Sequence, residues 1–134
     1  MPSKRKGKIF ITDDDQDDRE FIISALQASG VGNTFMQFEN GQALSSHLQK
    51  NAQDRPDIIL LDLNMPVKNG FETLHDLKTD SRFRDIPVIV LSASTKKEDE
   101  TVCFLNGCSH FLTKPLDMDG YREIARFVHN AFFQ

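Results

Sequence analysis

The chain is short of the residues from which several common functional classes are built. Of its 134 residues only two are cysteine, Cys103 and Cys108. That is too few for a disulfide framework, and the pair lacks a zinc-site spacing. Both are expected to serve as small buried apolar groups. The four histidines, His47, His75, His110 and His129, fall at no ligand-pair spacing, which argues against metal binding by them. Positive charge is not in excess: the formal net charge is −4, against the basic surface expected of a direct nucleic-acid binder. No apolar run is long enough to span a bilayer, and no apolar N-terminal segment suggests export. A cytoplasmic protein is therefore expected.

What the chain does have is alternation. After a basic tail over residues 1–7, Ile9 to Thr12 form a short apolar run that ends on Asp13, Asp14 and Asp15. Phe21, Ile22, Ala25 and Leu26 then recur at helical spacing, with Asp14 or Asp15 able to cap the start and Gly30 and Gly32 to stop it. Thr34 to Phe38 read as a second strand, and Ala43, Leu44 and Leu48 as a short helix. Ile58 to Leu61 form an unbroken aliphatic run closing on Asp62, the pattern of a strand buried on both faces. A helix carrying Phe71, Leu74 and Leu77 follows. Thr79 to Asp85 are expected to make a surface connection to the strand Ile86 to Leu91, which ends on Ser92. Lys96 to Asn106 carry Val102 and Leu105 on one helical face and stop at Gly107. His110 to Thr113 make a last strand before Lys114-Pro115. Tyr121, Ile124, Ala125, Val128, Ala131 and Phe132 trace a final helical stripe. Five strand–helix repeats predict one α/β domain over residues 8–134, a parallel sheet with helices on both faces, and leave no output domain.

In such sheets ligands bind beyond the carboxyl ends of the strands. The strand ends supply Asp13, Asp14, Asp62, Ser92 and Lys114 to that edge. Three crowded carboxylates repel one another, and a hard divalent cation such as Mg2+ is their natural neutraliser. A carboxylate can also act as nucleophile in phosphoryl transfer, with a metal, a lysine and a hydroxyl steadying the phosphoryl oxygens. Asp15, Asp17 and Asp18 are expected to be caps or solvated charges instead.

Four segments carry a family resemblance: Thr12-Asp13-Asp14-Asp15, Pro56 through Pro66, Val90-Leu91-Ser92-Ala93, and Leu112-Thr113-Lys114-Pro115. Together and in this order, the chain resembles a receiver domain of bacterial two-component response regulators from Lys8 to Phe133. The resemblance implies a flavodoxin-like (βα)5 fold of strand order 2-1-3-4-5. It makes Asp62 the phosphoacceptor, and Asp13 and Asp14 the acidic pair at a Mg2+ site, with Asp14 the more direct ligand. It assigns the Asn64 backbone carbonyl to the metal, and Ser92 and Lys114 to the phosphoryl group. Phe111 takes the switch-aromatic position, often tyrosine in the family, and Lys114-Pro115 is a bond often cis in relatives. The implied donor is a sensor histidine kinase or a histidine phosphotransfer protein. The output would leave by partner binding, by onward phosphotransfer, or by a homodimer through the fourth helix, fifth strand and fifth helix.

The other readings fit less well. A calcium-binding EF-hand loop begun at Asp13 would put Asp18 where glycine is needed and Ser24 where the bidentate glutamate belongs. A Mg2+-dependent aspartyl-phosphate phosphatase of the Asp-x-Asp kind lacks its second acid in Asp62-Leu63-Asn64. A flavodoxin-type carrier lacks a phosphate-cradling loop after the first strand. A phosphorylation-independent binding module would not require the acid set or Lys114.

Overall fold

The computed structural model describes residues 7–31 and 34–133. Residues 1–6 of the basic tail, and Gly32 as a helix stop, lie outside them. Strands β1 (Lys8–Thr12), β2 (Thr34–Phe38), β3 (Ile58–Leu61), β4 (Val88–Ser92) and β5 (His110–Thr113) alternate with five helices. These are α1 (Gln16–Ala28), α2 (Gly41–Lys50), α3 (Gly70–Thr79), α4 (Lys97–Leu105) and α5 (Met118–Phe132). All strand pairs are parallel, in the order β2-β1-β3-β4-β5. This is the parallel sheet that the alternation predicted, in the flavodoxin-like order that the family resemblance implied.

The two-residue period of a strand sorts the core into two layers. Ile9, Ile11, Ile58, Leu60, Ile89 and Leu91 face α1 and α5, where Ile22, Leu26, Tyr121, Ala125 and Val128 meet them. Phe10, Ile59, Leu61, Val88 and Val90 face the other way, onto Leu44, Leu48, Leu74, Leu77 and Cys103. Because both faces are covered, the central strands need aliphatic residues at every position. Each such side chain contributes roughly 1.5–3 kcal/mol by leaving water.

The helix starts follow the sequence closely. Asp15, rather than Asp14, caps α1 by accepting from the Asp18 amide at 3.1 Å. Asn40 and Asp117 cap α2 and α5 in the same way. Asn69 and Glu72 form a reciprocal capping box on α3. Gly30 and Gly107, just beyond α1 and α4, take positive φ.

Three expectations are corrected by packing. The connection over residues 79–85 is not purely a surface loop: it turns inward to bury Phe83, which sits with Ile86 in the α2–α3 layer. On α4 the residue that reaches the core is Cys103, whereas Val102 and Leu105 point outward, Leu105 being 82% exposed. The apolar stripe of α5 ends on Phe133, and Ala131 faces solvent. Cys103 and Cys108 are free and buried. Burial pushes their thiols up to about 12 and about 11, so both stay protonated packing groups.

Candidate functional site

Parallel register brings the strand ends together. Thr12 stands beside Leu61, so the next residue on each strand, Asp13 and Asp62, are neighbours, and the Asp62 amide donates to the Thr12 carbonyl at 2.9 Å. Ser92 stands beside Thr113, and the Lys114 amide donates to the Ser92 carbonyl at 2.8 Å. Asp13, Asp14 and Asp62 each offer an oxygen within 4.8 Å of the others. Asp13 and Asp62 are buried and Asp14 is exposed, so the cluster has a floor and an open side.

Lys114 reaches across this cluster. Its Nζ lies 2.8 Å from Asp13 Oδ2 and 3.6 Å from Asp62 Oδ2. Burial works against its ammonium, but hydrogen bonds to Asp13 and Asp18 more than offset that and raise its pKa above the ordinary value. Asp62 is pushed up to about 6, first by burial and then by the negative charge of Asp13. Asp13 is raised as well, again chiefly by burial, with Lys114 opposing. One ammonium does not neutralise three carboxylates, and the site is left with a net demand for positive charge.

The remaining residues singled out in the sequence take the following places. Ser92 is fully buried, and its hydroxyl accepts from the Ser94 amide at 3.1 Å. Asn64 is exposed and lines a shallow surface cleft with Ser94, Thr95, Lys96 and Asp99. Phe111 is half-buried against the core layer that contains Phe10. The Lys114–Pro115 bond is trans. Between Asp62 and α3 the loop is tightly wound: Val67 takes φ +68°, and the Lys68 amide closes on the Pro66 carbonyl at 2.8 Å. A β-branched residue in the left-handed region is strained by about 1–3 kcal/mol, which the Gly70 N–H to Leu63 carbonyl bond (2.9 Å) helps to hold.

Asp18 is the site residue that sequence reasoning missed. It was expected to be a solvated charge in the first turn of a helix; instead its Oδ2 lies 2.9 Å from Lys114 Nζ. Its other oxygen is 3.4 Å from the Tyr121 hydroxyl. A signal was available, since the first turn of the helix that follows the acidic strand end must overhang the same sheet edge. Arg19 also contributes, donating to the Asp13 carbonyl.

Residues 9–126 match the family described as the response regulator receiver domain. The response regulator Rcp1 of Synechocystis sp. is 30% identical over 130 residues, which cover 94% of this chain and 88% of that protein. The Mn2+-bound form of Rcp1 superposes with a TM-score of 0.87 at 25% identity, covering 96% of this chain and 95% of that one. The phosphorylated cyanobacterial phytochrome response regulator RcpA gives a TM-score of 0.88 at 30% identity, covering 96% of this chain and 94% of its own. The KDP operon transcriptional regulatory protein KdpE of Escherichia coli is 33% identical over 126 residues. These cover 92% of this chain but 52% of KdpE, so the chain spans about half the length of that curated relative.

Proposed function

The chain belongs to the response regulator receiver domain family, and on that premise we propose that it is a phosphoacceptor switch carrying its phosphoryl group on Asp62. The observation that carries the reading is the convergence of Asp13, Asp14 and Asp62 within 4.8 Å, with the Lys114 ammonium beside them. A phosphohistidine of a sensor kinase or phosphotransfer protein is the donor. A lone pair of an Asp62 oxygen forms the O–P bond while the P–N bond breaks, its electrons passing to the imidazole nitrogen. Burial and Asp13 make the Asp62 carboxylate more basic than an ordinary aspartate yet ionised at neutral pH, which suits a nucleophile.

The all-oxygen donor set, partly buried and open at Asp14, fits a hard divalent cation. Asp13, Asp14, Asp62 and the Asn64 carbonyl would hold Mg2+, which would supply neutralisation of the phosphoryl oxygens. That a relative was solved with Mn2+ supports the assignment. Lys114, 3.6 Å from Asp62, would bind a phosphoryl oxygen once Asp62 is modified, and Ser92 would turn its hydroxyl there. Phe111 would move with Ser92, without the phenolic hydrogen bond that tyrosine could make.

The reaction modifies the chain itself and turns over no external substrate, so the protein is not an enzyme in the usual sense. Output would pass through protein contacts at the α4–β5–α5 face, by onward phosphotransfer, or by homodimerisation there. The outward-facing Val102, Phe104 and Leu105 on α4 support such a surface. Cytoplasmic residence suits these partners, and no helix among the described residues is long and apolar enough to cross a membrane.

Two experiments test the proposal. Incubation with acetyl phosphate and Mg2+ is expected to add one phosphoryl group to wild type and none to Asp62→Asn, read by intact mass. Equal labelling of the two proteins would sink the assignment. Catalytic turnover of a phosphomonoester would favour a phosphatase. In a calorimetric Mg2+ titration, Asp14→Ala is expected to bind at least about tenfold more weakly than wild type, the scale of one lost charged ligand. Asp17→Ala, on an exposed position of α1, should stay near wild type. Equal affinities would remove Asp14 from the metal site.

A further inference from the structure

Lys114 is held by two hydrogen-bonded carboxylates, and one of them is not part of the acidic triad. An ammonium carries three N–H donors. The 2.8 Å and 2.9 Å separations from Asp13 and Asp18 are hydrogen bonds, whereas 3.6 Å from Asp62 is too long for one. The lysine thus stands closer to Asp18 than to the residue it is expected to serve. Asp18 is itself firmly placed. Its backbone amide is bonded to the Asp15 cap, and its carboxylate lies at the positive end of α1. Its second oxygen faces the hydroxyl of Tyr121, a residue of α5 that is 4% exposed and packs on Phe21 of α1, ring centres 5.7 Å apart. Neither α1 nor α5 belongs to the strand that carries Asp62.

We infer that Asp18 is a positioning residue, a second seat for the Lys114 ammonium that the unphosphorylated protein occupies and the phosphorylated protein must give up. The inference rests on the phosphoacceptor reading of Asp62. Its physical content is a competition for one cation. With Asp18 charged, the ammonium is shared between Asp18 and Asp13 and held off Asp62, so less of its charge opposes a divalent cation at the acidic triad. The same attraction opposes the move of Lys114 onto a phosphoryl oxygen. Asp18 should therefore favour metal binding and disfavour the phosphorylated state. A residue that merely braces the fold would shift both in one direction. Tyr121 reports which seat is filled, because Asp18 becomes a stronger acceptor for its hydroxyl once Lys114 has left.

The test compares wild type with Asp18→Asn, which keeps shape and one acceptor but removes the charge. Magnesium affinity is measured by calorimetry, followed by the affinity of beryllofluoride, a phosphoryl mimic, at saturating Mg2+. Asp18→Asn is expected to weaken magnesium about fivefold and to tighten beryllofluoride about fivefold, the scale of a partly exposed charge pair. Asp18→Glu should return both toward wild type, and Asp17→Asn should move neither as much as twofold. The chain has one tyrosine and no tryptophan, so emission excited beyond the phenylalanine absorption band comes from Tyr121 alone. That emission should fall when beryllofluoride binds wild type, through the strengthened hydrogen bond to Asp18, and should not fall in Asp18→Asn. Equal weakening of both ligands, no change in either, or the same emission change in both proteins would overturn the inference. Failure of wild type itself to take up beryllofluoride would overturn the phosphoacceptor reading, and the inference with it, before any variant is compared.

Discussion

At pH 7.5 and without divalent metal, Asp62→Asn is expected to be more stable than wild type by about 2–3 kcal/mol, although it loses a charge that lies near Lys114. The reason is the balance of forces on Asp62. It is buried and faces the charge of Asp13, and these two effects outweigh Lys114 and carry its pKa from 3.8 up to about 6. The folded protein therefore holds this proton more tightly than the unfolded chain. Between about pH 4 and pH 6 the native state binds more protons, so the stability contributed by Asp62 falls as pH rises through that window and stays low above it. Asparagine keeps the shape and removes the penalty. Urea unfolding of both proteins at pH 7.5 and pH 4 measures it: the gap should be wide at the higher pH and nearly closed at the lower. Saturating magnesium should narrow the gap at pH 7.5 by stabilising wild type, by about 2.7 kcal/mol at a hundredfold excess over Kd. Equal stabilities at pH 7.5 in the absence of metal would mean that Asp62 is not under this strain. The site would then be an ordinary ion-paired cluster.

Gly70→Ala is expected to destabilise the protein by about 3 kcal/mol, a large effect for one methyl group. Gly70 opens α3, where alanine would otherwise be preferred over glycine by about 1 kcal/mol. Packing overrides that preference. A Cβ at this position would fall 2.1 Å from the Asp62 carbonyl oxygen and 2.6 Å from the Leu63 Cα. Both are backbone atoms of the segment that presents Asp62, so neither can rotate aside. Either α3 shifts away from the sheet edge or the Asp62 segment moves, and magnesium affinity should fall together with stability. Gly30→Ala makes a useful contrast. It has nothing within 4 Å of the added carbon, only a φ of +75° to maintain, and should cost about 1 kcal/mol. The midpoints of urea unfolding rank the two. A Gly70→Ala protein as stable as Gly30→Ala would contradict the close approach of α3 to the Asp62 carbonyl.

The sequence by itself determined the fold and the assembly of the site's main members. Continuous aliphatic runs such as Ile58 to Leu61, short, opening on β-branched residues and bounded by Pro56 and Pro66, read as strands covered on both faces, and in a parallel sheet all their carboxyl ends reach one edge. Asp13, Asp62, Ser92 and Lys114 were therefore brought together by strand direction alone, a one-dimensional property that residue patterns encode. Tertiary structure decided what depends on where long side chains end and on which face a weakly patterned helix turns inward. Val102 and Leu105 have helical spacing, yet the core takes Cys103, which is fully buried in the layer of Leu74, Leu77 and Val90 while Val102 and Leu105 face outward. Phe83 lies in a polar stretch but fills the α2–α3 layer. Lys114 and Asp18 are 96 residues apart, and their contact exists because β5 delivers a flexible lysine beneath the first turn of α1. The strand direction already placed the first turn of α1 over the sheet edge, but no local pattern distinguishes Asp18 from the exposed Asp17 beside it; that difference is one of helical phase against a neighbouring strand, and only the packed structure sets it.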